Sequence, residues 1–158
     1  MSLTENAQLI KRLPAWIYKL GSQAYIDRNY PRHIFLETTA KANLECSYCP
    51  REQLDNHMDF RLLKEIVDEA SNYGSRSFSL HLFGEPLLYP ELFEGIRYIK
   101  SKNKRHTILI TTNGTLLNRY VDDLVQSGVS KVFWTWRTEA KFRPETKAKL
   151  RKWGRFCV

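Results

Sequence analysis

Four times between His33 and Trp153, a short apolar run suited to a buried strand is followed by a segment with helical spacing. HIFLET (33–38) leads to the segment 59–72, where Phe60, Leu63, Ile66, Val67 and Ala70 share one face, with Asp59 placed to cap the start and Gly74 the stop. SFSLHLF (77–83) leads to 90–102, with Leu92, Phe93, Ile96 and Ile99 inward, and HTILITT (106–112) leads to 116–127, ended by Gly128. SKVFWTW (130–136) leads to 144–153, and RFCV (155–158) opens a fifth strand. Strands separated by helices pair in parallel, because each crossover returns the chain to the same end of the sheet. The expected fold class is α/β, a partial (β/α) barrel of parallel strands that stops after the fifth. Residues 1–30 read as a helical lead-in and 31–158 as the barrel core. No glycine-rich phosphate loop follows the first strand, which speaks against a dinucleotide-binding sheet.

This order of elements locates the chemistry. In parallel α/β sheets, ligands bind beyond the carboxyl ends of the strands. Three unusual loops fall there: ECSYCPR after strand one, FGEP (83–86) after strand two and TNG (112–114) after strand three. Alone, Cys46 and Cys49 fit a redox pair, half a zinc site or part of an iron–sulfur site equally well. Three cysteines in 158 residues do not make a disulfide framework. His81 reads as a satisfied or rim-facing histidine and Cys157 as a small buried residue. Trp134 and Trp136 share a strand face that is either core or the wall of a substrate pocket.

Charge excludes little. Nearly all of the net charge of +8 sits in the last stretch, where Lys131, Arg137, Lys141, Arg143, Lys147, Lys149, Arg151, Lys152 and Arg155 stand against Glu139 and Glu145 in the count. No groove-reading motif or stacking array accompanies it, so a solvated helix face with acidic partners beyond residue 158 is expected, and nucleic acid is not. The chain has neither a run of 18 apolar residues nor the layout of a signal peptide, so no membrane partner and a cytoplasmic location are expected. An open barrel edge at strand five would need covering, so self-association or a partner chain is expected there.

The stretch ETTAKANLECSYCPR resembles the cluster loop of the radical S-adenosylmethionine superfamily, whose signature is Cys-x3-Cys-x-aromatic-Cys. Cys46 and Cys49 match its second and third cysteines and Tyr48 its aromatic position, but Ala42 stands where the first belongs. FGEP resembles the GGEP turn, with Phe83 for its first glycine, and TTNG (111–114) resembles a motif after a later strand. The lead SQAYIDRNYPR is similar to members carrying an additional C-terminal cluster domain, which is not expected within these 158 residues.

The resemblance implies a [4Fe–4S] cluster held by three loop thiolates, the soft ligands such clusters need. It also implies S-adenosylmethionine (SAM) as cofactor, reductive cleavage of SAM to a 5′-deoxyadenosyl radical, an unknown substrate and an electron-donor protein. Cys46 and Cys49 are the implied cluster ligands. Tyr48 is the implied adenine contact, and Gly84, Glu85, Pro86, Thr112 and Asn113 hold the rest of SAM, with main-chain oxygens near Glu85 accepting from its ammonium. A methyl group cannot ligate iron, so the cluster should assemble poorly unless another residue, Cys157 first, replaces the missing thiolate. Two other functions stay open: a non-catalytic SAM- or partner-binding remnant, and a Cys-x-x-Cys dithiol redox module.

Overall fold

The computed structural model describes residues 30–47, 49, 55–135 and 142–157. The lead-in 1–30 therefore lies outside the described residues except for Tyr30, as do Tyr48 and Trp136. Five strands, β1 (His33–Phe35), β2 (Ser77–Ser79), β3 (Thr107–Thr112), β4 (Lys131–Trp134) and β5 (Phe156–Cys157), form one sheet in sequential order. Every neighbouring pair is parallel. Between them run α1 (Phe60–Ser71), α2 (Leu92–Lys102), α3 (Leu117–Ser127) and α4 (Pro144–Trp153). Consecutive strands lying side by side, with a helix between each strand and the next, are the winding of a (β/α) barrel, and the sheet is a partial one.

Strand side chains alternate between faces. Leu36, Phe78, Leu80, Ile108, Ile110 and Val132 are buried with Leu63, Val67, Ala70, Leu92, Ile96, Ile99, Val121 and Leu124 from the helices. Each large side chain buried there contributes about 1.5–3 kcal/mol. The opposite face carries His33, Phe35 and Phe133, all exposed. Trp134 is therefore not on the concave face. It shares the side of Val132, where its ring packs against Phe142 at 4.7 Å.

Local signals act largely as expected. Asp59 caps α1, its carboxylate accepting from Arg61 N at 2.7 Å. The C-cap of α1 is Asn72, with Gly74 (φ 87°) two residues beyond. The strands are shorter than the apolar runs. Beyond Ser79, Leu80 N still bonds Leu109 O at 3.0 Å, after which His81–Phe83 belong to the following loop. On the basic helix, Lys149 pairs with Asp122 of α3 at 2.5 Å, so one acidic partner lies within the chain.

At the amino end of the sheet, His106 is 1% exposed. Its Nδ1 accepts from Arg76 N at 2.9 Å, so Nε2 carries the proton and faces Ser71 Oγ at 3.0 Å, which donates onward to Val67 O at 2.6 Å. Its ring meets Phe78 edge-on at 5.2 Å. Protonating Nδ1 would set two N–H groups against each other. Burial, joined by the nearby Lys100 and Arg76 charges, holds this imidazole below its ordinary value of 6.5. A depressed folded pKa means the unfolded chain takes the proton first, so stability is full above about 6.5 and is lost as pH falls through the folded value. We expect the urea midpoint to drop between pH 7 and 5, with the NMR titration of His106 centred below 6.5. A midpoint independent of pH over that range contradicts the neutral assignment.

Candidate functional site

The site is built by three loops at the carboxyl ends of β1, β2 and β3. Past Phe35, Leu36 N bonds Ser79 O at 2.9 Å, and the loop then runs beside residues 56–58: Met58 N to Thr38 O at 2.9 Å and Ala40 N to Asn56 O at 3.1 Å, around an antiparallel bridge of Thr39 and His57. Thr39 Oγ1 accepts from Lys41 N at 3.0 Å and faces His57 Nδ1 at 2.9 Å. These bonds fix residues 38–41.

The turn after β2 lies backbone-on-backbone against this loop. A Cβ on Gly84 would sit 1.9 Å from Thr39 O and 2.9 Å from Lys41 O, so only glycine fits. The next amide, Glu85 N, donates to Lys41 O at 2.8 Å. Pro86 opens a 3-10 turn, Pro86–Leu88, in which Glu85 O accepts from Leu88 N at 2.9 Å. That leaves this carbonyl one further lone pair.

The Glu85 side chain does not face an open site. It is 3% exposed. Oε1 accepts from Thr112 Oγ1 at 2.7 Å and Leu87 N at 3.2 Å, and Oε2 accepts from Asn113 N at 2.8 Å. Burial pushes its carboxyl above the usual carboxylate range, and these three donors oppose the rise. One carboxylate thus joins the turn after β2 to the end of β3.

A second set of bonds closes the ring of loops. Asn113 Nδ2 donates to Asn43 Oδ1 and Asn43 Nδ2 to Thr115 Oγ1, both at 2.8 Å. Thr115 N and Oγ1 donate to Asn113 Oδ1 at 3.0 and 2.7 Å. Asn43, adjacent to Ala42, is thereby tied to the TNG turn. Gly114 has φ 83°, and a Cβ there would meet Trp134 Nε1 at 2.6 Å. That indole donates to Asn113 O at 3.2 Å.

Gly84, Glu85, Pro86, Thr112 and Asn113 are thus brought together on one rim. Sequence reasoning missed Asn43, Thr115, Thr39 and His57, since short polar residues in loops carry no signal until the loops meet. Cys46 and Cys49 are half-buried and share one turn, Cys49 N donating to Cys46 O at 3.0 Å. Cys157 lies on β5 opposite Phe133. Among the described residues, no three of His, Cys, Asp and Glu converge as metal ligands, so Cys157 does not complete the pair. Two thiols with Ala42 do not fit a cluster gripped by three loop thiolates. His81 is satisfied: Nδ1 accepts from Thr111 N at 3.1 Å and Nε2 faces Thr111 Oγ1 at 3.0 Å.

A parallel α/β sheet with three loops bonded together at its carboxyl rim has the architecture of a (β/α)-barrel domain with its candidate site at that rim. The family model described as the radical SAM superfamily matches residues 36–134, and the chain belongs to that superfamily. The superfamily uses a [4Fe–4S] cluster and SAM. The chain is 32% identical over 103 residues to the GTP 3',8-cyclase of Chlorobaculum tepidum, covering 63% of this chain and 31% of that protein. It is 36% identical over 105 residues to the probable GTP 3',8-cyclase of Methanococcus maripaludis, covering 64% and 35%. The chain therefore spans about a third of the length of these curated relatives. The crystal structure of BtrN in complex with AdoMet and 2-DOIA superposes with a TM-score of 0.65 at 25% identity, covering 76% of this chain and 55% of that one. Among the described residues, no helix is long and apolar enough to cross a membrane.

The Gly84 contact is directly testable. Gly84→Ala drives a methyl into backbone oxygens and is expected to cost about 3 kcal/mol in urea unfolding. Gly95→Ala in α2, whose Cβ would meet Leu63 at an ordinary 3.4 Å, should stay within about 1 kcal/mol of the parent. Equal effects of the two substitutions contradict the backbone-on-backbone packing.

Proposed function

We propose that this chain is the SAM-binding part of a radical SAM enzyme-type domain whose cluster site is incomplete at Ala42. The reaction assigned to the lineage is the reductive cleavage of SAM to a 5′-deoxyadenosyl radical, and this chain as written is impaired in it. Its partners on this reading are SAM, a substrate and an electron-donor protein. The carrying observation is the pair of hydrogen-bonded ties, Glu85 to Thr112 and Asn113, and Asn43 to Asn113 and Thr115, that hold three loops as one rim.

Each residue then has a role. Gly84 lets the turn lie on the β1 loop, and Pro86 stiffens it. The main-chain oxygens at Gly84 and Glu85 accept from the SAM ammonium, while the Glu85 side chain positions Thr112 and Asn113 as polar contacts to the ribose or methionine part. Tyr48, which lies outside the described residues, is assigned the adenine contact on this reading. Cys46 and Cys49 supply two of the three thiolates a cluster of this class needs.

A second reading, a non-catalytic SAM-binding module, is favoured by one observation. Residues 38–43 are tied by hydrogen bonds to Asn56, Met58, Glu85, Asn113 and Thr115, so this part of the rim has anchors separate from the two thiols.

Iron and sulfide analysis after anaerobic reconstitution separates the readings, with the chain compared to Ala42→Cys and SAM affinity measured on each. The enzyme-type reading expects about four irons per chain in the variant only, with SAM bound tightly only there. SAM binding by the iron-free parent, equal to that of the variant, moves the binding module ahead. If the variant also stays empty, more than Ala42 keeps the cluster out, and the binding module again moves ahead.

A further inference from the structure

Ala42 leaves Cys46 and Cys49 with chemistry of their own. Both thiols are free and half-buried, so reagents can reach them. The bond from Cys49 N to Cys46 O closes a four-residue turn. Such turns hold their end Cα atoms within about 7 Å, and disulfides span Cα separations of about 4.4–6.8 Å. The backbone is therefore already folded to within bridging distance.

Two further observations keep the sulfurs for each other. Among the described residues, no third metal-binding side chain converges on them. Cys157 sits on β5, paired with Phe133 in the sheet, and its strand cannot shift to the loop without breaking that ladder. The loop leading to the pair is anchored through Thr38, Ala40, Lys41 and Asn43. Little extra chain ordering is then needed to close the bond.

We propose that the Cys46–Cys49 turn in this chain is a reversible dithiol–disulfide site, with a low-molecular-weight disulfide as its oxidant. One cysteine sulfur attacks the small disulfide as thiolate, forming a mixed disulfide and releasing one small thiol. The second sulfur displaces the other half, closing the Cys46–Cys49 bond and releasing a second thiol. Two electrons and two protons pass from the cysteine pair to the oxidant, which is reduced to two thiols. Closure withdraws both sulfurs from any metal. This site goes beyond SAM binding and does not depend on it.

The test equilibrates the iron-free full chain, under argon, with mixtures of reduced and oxidised glutathione. Free thiols are then trapped with a maleimide and mapped by mass spectrometry. The expected result is that Cys46 and Cys49 lose their maleimide adducts together on one two-electron curve, without retained glutathione. Excess reduced glutathione restores both, and Cys157 stays alkylated throughout. In Cys49→Ser, Cys46 should instead hold glutathione as a stable adduct. The proposal is overturned if neither cysteine oxidises, if the two oxidise independently, if glutathione adducts persist in the parent chain, or if either pairs with Cys157 or with another chain.

Discussion

A single buried carboxylate organises the rim. Glu85 accepts one hydroxyl and two backbone N–H groups, drawn from its own turn and from the end of β3. An ionised side chain is costly to bury unless its oxygens are satisfied, and an unsatisfied partner costs about 1–3 kcal/mol. The interaction therefore works in both directions. The turn after β2 is held down, and the amide of Asn113 is held where its side chain can reach Asn43. The ligand loops of a parallel sheet are ordinarily its most mobile parts. Here they are cross-linked by polar groups that the fold itself supplies.

This arrangement bears on what Ala42 means. The alanine is flanked by two anchored positions, Lys41 through its carbonyl to Glu85 N and Asn43 through its amide to Thr115 and Asn113. Both flanks of the position that lacks a thiolate are thus fixed by protein hydrogen bonds. A loop anchored on both sides of residue 42 permits two outcomes for the remaining thiols, completion by a restored cysteine or closure on each other.

Much of this could be read in the chain. The strand–helix alternation set the parallel sheet and its order, because apolar spacing reports burial directly, as Leu63, Val67 and Ala70 in α1 show. The convergence of the Cys, GEP and TNG loops followed from the rule that such loops share one end of a parallel sheet. The inner workings of the rim were not legible. Nothing local marks Glu85 as buried, since its donors Thr112 and Asn113 lie 27 and 28 residues away. Asn43 and Thr115 are 72 apart and acquire meaning only when the loops touch. The face of Trp134 depended on β4 register, Thr112 opposite Trp134, which alternation alone leaves undetermined.

The central claim is that Glu85 clamps the rim, and amide hydrogen exchange of Glu85→Gln beside the parent chain tests it most directly. The substitution keeps shape but turns one acceptor into a donor, facing either Asn113 N or the Thr112 and Leu87 donors. The account predicts protected amides at Asn113 and Leu87 in the parent. It predicts protection lost at one or both in the variant, while the core strand amides of Ile108 and Ile110 stay unchanged. Unaltered protection at both Asn113 and Leu87 would contradict it.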